Sequence, residues 1–199
     1  MTRVKPPRLI LICCEGNTEA AYFRIICRLF RIREGRTKIL AEKGQHKAII
    51  DQAVNERNKL IEKEDFGEDE IVCWAICDDD NMTYPFSELK KYAADNNIYL
   101  GFSRPQFEAY LLQHFEQSGE SNKDALLQKL ADYKALHDGV KPYGSSTKAD
   151  LGWLRDAIDK SPSIVDMAIT NSEQRTKSSK PIFFTVHELT RMLMELKLQ

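Results

Sequence analysis

The sequence predicts an α/β fold in which about four parallel strands carry helices on both faces, with a helical extension behind them. Apolar runs at residues 9–14 and 71–77 have the length of strands and lack polar alternation, which is typical of parallel strands buried on both faces. Strand and helix patterns also alternate as far as residue 102, whereas only helical patterns follow residue 105. Such alternation predicts a parallel sheet covered on both sides.

The remaining elements follow from the same patterns. The first half of the chain holds two more strands, predicted at residues 37–41 and 98–102, and three helices, predicted at residues 17–30, 45–64 and 85–95. The second half holds helices predicted at residues 105–115, 123–133, 148–160, 164–171 and 186–198. The chain is therefore predicted to consist of a core at residues 1–104 and a helical extension, packed on that core, at residues 105–199.

Composition indicates an ordinary soluble globular protein. The chain has 199 residues, of which 42% are hydrophobic and 30% charged, enough for one good core with an appendage. Its longest apolar runs fall short of the roughly 20 residues that span a bilayer, and the first residues lack the apolar segment of a secretory signal. We therefore expect a cytoplasmic protein without a membrane partner. The five cysteines lie in apolar patterns and are predicted to be core thiols.

Charge is unevenly distributed although the net charge is only -1. Residues 1–50 carry eleven Lys or Arg and four acids, whereas residues 51–100 carry five and thirteen, so a +7 segment precedes a -8 segment. Arg24, Arg28 and Arg31 fall on one helix face, and Lys38 follows shortly after them. Together with Arg33 and Arg36, these residues could bind the phosphates of a nucleic acid, and the alternative is a solvated helix face.

The first strand ends abruptly at Glu15 and Gly16. Ligands of open α/β sheets bind outside the carboxyl ends of the strands, so Glu15 stands where chemistry is usually performed. Gly16 permits a close backbone approach or a positive φ, and the pair Asn17 and Thr18 is expected to cap the following helix, with Glu19 in its first turn. The unit is predicted to be strand, turn and helix with an acid at the turn.

The second strong strand also ends in acids. Asp78, Asp79 and Asp80 follow it directly, and in extended backbone Asp78 and Asp80 would project to one side while Asp79 points away. With Glu15 they supply the hard oxygen ligands that Mg²⁺ takes at phosphoryl-transfer sites. The alternative is that these acids only solvate the strand end.

Several motifs, taken in order, resemble a known family. They are Cys14-Glu15-Gly16-x-Thr18-Glu19 with Tyr22-Phe23, Asp78-x-Asp80, Pro105-x-Phe107-Glu108 with Leu111-Leu112 and His114-Phe115, and Thr185-Val186-His187-x-Leu189. Together they resemble the RloB-like family of abortive-infection and restriction-linked proteins over nearly the whole chain. The resemblance implies a Toprim-like core in which Glu15 acts as general acid or base while Asp78 and Asp80 hold magnesium, with manganese as a substitute. One residue, Asn17, stands where many members have two.

The resemblance favours a magnesium-dependent Toprim-type nuclease that cleaves RNA or DNA in phage defence, together with an ATPase partner. A non-catalytic Toprim-like subunit that regulates or recognises within an ATPase complex is the alternative. The stretch from Ile76 to Asn81 also resembles the nucleophile motif of haloacid-dehalogenase-type phosphatases, although that motif normally follows the first strand of its domain. Gly16, Glu19 and Glu108 are candidates for supporting the site, and for Glu108 the alternative is complementing a helix dipole.

Overall fold

A computed structural model gives the structure of the chain and describes residues 7–42, 44–64, 66–139, 143–144, 147–178 and 182–196. Within these residues the chain is mixed α/β, with a five-stranded sheet and eight α-helices. The strands are β1 Leu9–Cys14, β2 Thr37–Leu40, β3 Ile71–Asp78, β4 Tyr99–Arg104 and β5 Phe183–Phe184. The helices are α1 Asn17–Leu29, α2 Lys47–Glu64, α3 Phe86–Asp95, α4 Phe107–Leu112, α5 Lys123–Asp138, α6 Gly152–Lys160, α7 Ser163–Ser178 and α8 Val186–Leu196.

The sheet has the strand order β2-β1-β3-β4-β5, with β2 at one edge. The first four strands are parallel, as predicted, and β1 aligns with β3 so that Cys14 lies opposite Ile76. The fifth strand was not predicted. It runs antiparallel to β4 and pairs only through Phe183 and Phe184. Two residues are too few for an apolar periodicity to show in a sequence, which is why only helices were expected after residue 105.

Alternate residues of the strands point into two apolar clusters, one on each face of the sheet. On β1, Ile10 and Ile12 face the cluster shared with α1 and with α4 to α8. Leu9 and Leu11 face the cluster shared with α2 and α3. Helices therefore cover both faces, as predicted, and the central strands β1 and β3 are almost fully buried. The helices after β4 share one cluster with α1 and the sheet, and the division at residue 104 stays a prediction.

The five cysteines confirm the core interpretation, because all are buried and none forms a disulfide. No helix in the described ranges combines the length and apolarity needed to cross a bilayer. Helix α4 begins at Phe107 with Gln106 as its N-cap residue, two residues later than the Pro105 start that the sequence suggested.

A buried hydrogen-bond network joins three helices on the α1 face of the sheet. The Tyr22 hydroxyl lies 3.0 Å from the Tyr110 hydroxyl and 3.2 Å from His114 Nε2. The Tyr110 hydroxyl lies 2.9 Å from Thr190 Oγ1 on α8, and His114 Nδ1 lies 3.0 Å from the Leu111 carbonyl oxygen. Burial lowers the pKa of His114 to about 4, so its ring is neutral at pH 7. When Nδ1 of the neutral ring donates to the Leu111 carbonyl oxygen, Nε2 can accept a hydrogen bond from the Tyr22 hydroxyl.

Removing the Tyr22 hydroxyl should therefore destabilise the fold. Tyr22→Phe leaves the buried Nε2 of His114 without its partner, and we expect a loss of roughly 1–3 kcal/mol in the free energy of unfolding. Urea unfolding at pH 7 measures the change. Tyr133→Phe is the matched control, since the Tyr133 hydroxyl donates to the half-exposed Glu116 at 3.2 Å. Equal losses in the two variants would contradict the role of the network.

Candidate active site

The parallel pairing of β1 with β3 brings Glu15 and Asp78 to the same edge of the sheet. The Glu15 backbone N–H donates to the Ile76 carbonyl oxygen at 2.9 Å, so Glu15 leaves β1 beside the end of β3. Asp78 is the final residue of β3 and lies opposite Ser103 of β4. The two carboxylates therefore stand at the carboxyl ends of neighbouring central strands, as the sequence predicted.

Gly16 makes room for a third carboxylate. Its backbone is extended, with φ -126° and ψ -180°, so a positive φ is not the reason for the glycine. A side chain at this position would place its Cβ 2.9 Å from Glu19 Oε2, which means that the Glu19 carboxylate occupies that space. The predicted cap by Asn17 and Thr18 is wrong, because Gly16 is the N-cap residue without a side-chain cap and the Asn17 amide donates instead to Glu42 Oε1 at 2.6 Å.

A fourth carboxylate comes from the helix that follows β4. Glu108 lies in the first turn of α4 and is only 4% exposed. Lys148 pairs with it, with 3.1 Å between Nζ and Glu108 Oε1. Electrostatic repulsion from Glu108 acts on both Asp78 and Glu19, so Glu108 belongs to the same cluster of acids. The pairing with Lys148 goes beyond the dipole complement that was the alternative for this residue.

The extended backbone on which the expected alternation of the three aspartates depends ends at Asp78. Strand β3 ends at Asp78, and the chain then turns, with Asn81 at φ 57°. The Asp80 backbone N–H donates to Asp78 Oδ1 at 2.9 Å, and the Asp80 carboxylate pairs with Lys123 of α5. Asp79 accepts two hydrogen bonds from Arg104, at 2.8 and 3.1 Å. Successive side chains point to opposite sides only in extended backbone, and the extended backbone of β3 ends at Asp78, before Asp79 and Asp80.

Burial and mutual repulsion raise the pKa values of three of these acids. Burial and then the charges of Asp78 and Glu19 raise the pKa of Glu15 to about 7. Burial is also the main cause for Glu19, whose pKa rises to about 7, although the backbone amides of Glu19 and Gly16 counter part of the rise. The pKa of Asp78 rises to about 6 through burial and the charge of Glu108, against the opposing effect of Lys123 and Lys148. The folded chain thus holds several like charges in a poorly hydrated crevice.

These residues fit a hydrated magnesium ion better than a fully protein-bound metal. In the described ranges no three His, Cys, Asp or Glu side chains are arranged to hold a metal ion directly. Mg²⁺, however, keeps several waters and is commonly bound through one or two carboxylates. Glu15 Oε2 and Glu19 Oε2 are buried and have no hydrogen-bond partner among the described residues, so each could accept from a water of such an ion. The donor set therefore suits Mg²⁺, with Glu15 and Asp78 as the residues that would hold it.

Comparison with known proteins identifies the family. The family model described as RloB-like protein matches residues 10–193, which is most of the chain. The chain belongs to the RloB-like family. Comparisons with curated proteins and with solved structures found no match. The family resemblance inferred from the motifs is therefore confirmed.

The arginines of α1 remain together, but Lys38 is separated from them. Arg24 and Arg28 are exposed on α1, and Arg31 follows the helix end with φ 52°. On β2, Ile39 packs toward α1 whereas Leu40 packs toward the opposite cluster. Lys38 alternates with Ile39, so it lies on the face away from the arginines, where its Nζ is 3.8 Å from Glu64 Oε1.

Sequence reasoning missed several members of this RloB-like site. Lys123 and Lys148 come from the helical half, and no spacing in the sequence relates a lysine on one helix to an acid at a distant strand end. Ser103 could have been found, because it ends the strand beside Asp78 and therefore obeys the same strand-end rule. Its Oγ is buried, and like Glu15 Oε2 and Glu19 Oε2 it has no hydrogen-bond partner in the part of the chain that the structure describes.

Replacing Glu19 should stabilise the metal-free protein in a pH-dependent way. A carboxyl whose pKa is raised in the folded state makes the fold less stable as pH rises from about 4.5 to about 7. Glu19→Gln removes this penalty. We expect the variant to be more stable than the parent by roughly 1–3 kcal/mol at pH 8, and the gain to shrink toward pH 4.5. Urea unfolding with a chelator present measures both values.

Glu62→Gln is the control for the Glu19 variant, because it makes the same change at an exposed position of α2. It should alter stability little at either pH. A Glu19→Gln gain that is equal at pH 8 and pH 4.5 would mean that shape, and not charge, limits stability at this position.

Proposed function

We propose that this RloB-like protein is a magnesium-dependent nuclease with a Toprim-like core. The observation that carries the proposal is the convergence of Glu15 and Asp78, two partly buried acids at the carboxyl ends of adjacent parallel strands. A bound Mg²⁺ would neutralise charge that develops on a phosphodiester and would polarise it toward attack. Asp80 is the third candidate for this ion, and it would take part after Lys123 exchanges its carboxylate for a substrate phosphate.

The chain's own residues support phosphodiester chemistry in two ways. Glu15 has a pKa of about 7, which lets it gain and lose a proton near neutral pH as a general acid or base requires. Lys123 and Lys148 bring two ammonium groups to the same edge of the sheet as the acids. Cations beside a carboxylate cluster are suited to orient a phosphate that would otherwise be repelled. Glu19 and Glu108 would add carboxylate charge near a bound ion and so favour the metal-bound form.

The biological setting of the proposal follows from the family. RloB-like proteins are abortive-infection and restriction-linked, so we infer cleavage of RNA or DNA in phage defence, in the cytoplasm and with an ATPase partner. The mixed α/β sheet with acids at the ends of β1 and β3 supports a Toprim-like core for this role. The haloacid-dehalogenase alternative is less well supported, because β3, the strand that leads into the aspartates, is the third strand of the chain and not the first.

A second candidate function is a non-catalytic subunit that recognises or regulates within an ATPase complex. The observation in its favour is that Asp79, Asp80 and Glu108 are already paired with Arg104, Lys123 and Lys148. An acid cluster neutralised from within could serve structure alone. The two functions differ in what the isolated protein does with a divalent metal, which the following experiment measures.

Cleavage should require both strand-end acids. The parent protein is incubated with Mg²⁺ or Mn²⁺ and with structured RNA, single-stranded DNA or plasmid, and products are resolved on gels. We expect Glu15→Gln and Asp78→Asn each to slow cleavage by about 100-fold or more, because each removes charge from the metal and phosphate site. Asp95→Asn, at the exposed end of α3, should leave the rate unchanged.

The metal alone provides the second readout. Mg²⁺ should raise the melting temperature of the parent, and Glu15→Gln should abolish that rise. Metal binding without cleavage of any substrate would favour the non-catalytic subunit. Cleavage that survives a chelator, or that both variants retain, would contradict the magnesium site itself.

The arginines of α1 should contribute to nucleic-acid binding without sequence preference. Changing Arg24, Arg28 and Arg31 to Ala should weaken binding and should flatten the slope of log affinity against log salt by nearly one for each phosphate that is no longer neutralised. Fluorescence anisotropy of a labelled oligonucleotide at several salt concentrations gives the slope. Lys38→Ala should change it less, since Lys38 lies on the other face of β2 and pairs with Glu64. A triple variant with an unaltered slope would assign the arginines to a solvated helix face.

A further inference from the structure

A cavity of about 570 Å³ opens between α1 and the edge strand β2. It lies on the opposite end of α1 from the acid cluster. At 1.5 Å per residue, Arg24 stands about 10 Å and Arg28 about 16 Å along the helix from Asn17, where α1 leaves the site. The volume of the cavity falls in the range of small-molecule binding sites. The cavity is therefore a separate feature from the acids at the strand ends.

Guanidinium groups dominate the charge of this cavity. Its lining includes Arg24, Arg28 and Arg31 and one acid, Glu34, for a formal charge of +2. Arg28 forms an ion pair with Asp159 at 2.8 Å, but both side chains are 54% exposed, so the pair is readily exchanged. Within the described residues, neither Arg24 nor Arg31 has a carboxylate partner. Arginine forks of this kind bind phosphate oxygens in pairs.

Apolar groups complete the lining. Cys27, Ile32 and Ile39 line the same cavity, and Cys27 is only 8% exposed. A flat apolar ring could lie against these side chains while its phosphates face the arginines. The combination of an apolar wall with two or three guanidinium groups matches a nucleoside phosphate better than a simple anion, which would use only the charges.

The loop that closes the cavity is held by its own backbone. The Ile32 N–H donates to the Cys27 carbonyl oxygen at 3.0 Å, and the Arg36 N–H donates to the Arg33 carbonyl oxygen at 3.1 Å. Gly35 adopts φ 85°, which a glycine does without strain. The wall is thus formed before any ligand arrives.

We propose that this cavity binds a nucleoside phosphate. The same chemistry can come from a free nucleotide, which would make the cavity an effector site, or from the phosphorylated end of a nucleic-acid strand. The proposal does not require that the acid cluster hydrolyse anything, so it can hold or fail independently of the nuclease function.

Calorimetric titration without divalent metal tests the proposal. The probes are adenosine, AMP, ADP and ATP in one arm, and a hexanucleotide with either a 5′-phosphate or a 5′-hydroxyl in the other. We expect saturable binding of one equivalent that requires phosphate. Arg24→Ala with Arg31→Ala should weaken it at least tenfold, and both side chains are exposed, so the fold should survive. Glu15→Gln should bind the mononucleotides like the parent, because Glu15 does not line the cavity.

Arg33→Ala is the matched control, because Arg33 is an exposed arginine on the same loop that does not line the cavity. It should change the affinity by less than about twofold. Binding of mononucleotides identifies a free effector, and binding of the 5′-phosphorylated hexanucleotide alone identifies a strand end; either supports the cavity. The absence of saturable binding to the parent overturns the proposal, and so does an equal loss in Arg33→Ala, which would indicate diffuse charge.

Discussion

The parallel pairing of β1 with β3 is the constraint on which the rest of the site depends. Parallel strands end at the same edge of a sheet, so the hydrogen bond from Glu15 to Ile76 fixes Glu15 beside Asp78. The apolar runs that form these strands are buried on both faces, and they draw the acids at their ends partly out of water. Burial itself, and then the mutual repulsion of the acids, raises their pKa values.

The helices determine which further acids join this pair. Helix α1 starts directly after Gly16, and its first turn directs Glu19 back into the crevice that the missing Cβ leaves open. The Tyr22 network fixes α1 against α4 and α8, so Glu19 and Glu108 are positioned by one rigid group of helices. Lysines from α5 and from the segment before α6 then bring positive charge to the rim. The C-terminal half of the chain therefore has a structural role, because its lysines balance the negative charge of the acids at the strand ends.

The sequence was sufficient for features that depend on local pattern. Strand length, apolar continuity and the acids after each strand predicted the four parallel strands and the positions of Glu15 and Asp78, because parallel pairing follows from burial on both faces. The sequence did not predict features that depend on where the chain turns. The alternation expected of Asp78 and Asp80 does not apply because β3 ends at Asp78, and Lys38 lies apart from the arginines because successive residues of a strand face opposite sides of the sheet. Long-range contacts such as Lys148 with Glu108 have no local signature at all.

Thr185, the residue that follows β5, affects how the protein folds. Thr185 covers β4 with three hydrogen bonds: its N–H donates to Phe102 O at 2.8 Å, its Oγ1 donates to Leu100 O at 2.7 Å, and Phe102 N–H donates to its Oγ1 at 2.9 Å. These bonds join residues about 80 positions apart in the chain. During synthesis the edge of β4 therefore emerges long before its cover does. Contacts between residues so far apart in the sequence slow folding. Until Thr185 has been synthesised, the uncovered edge of β4 exposes unpaired backbone N–H and C=O groups to which another strand could bind.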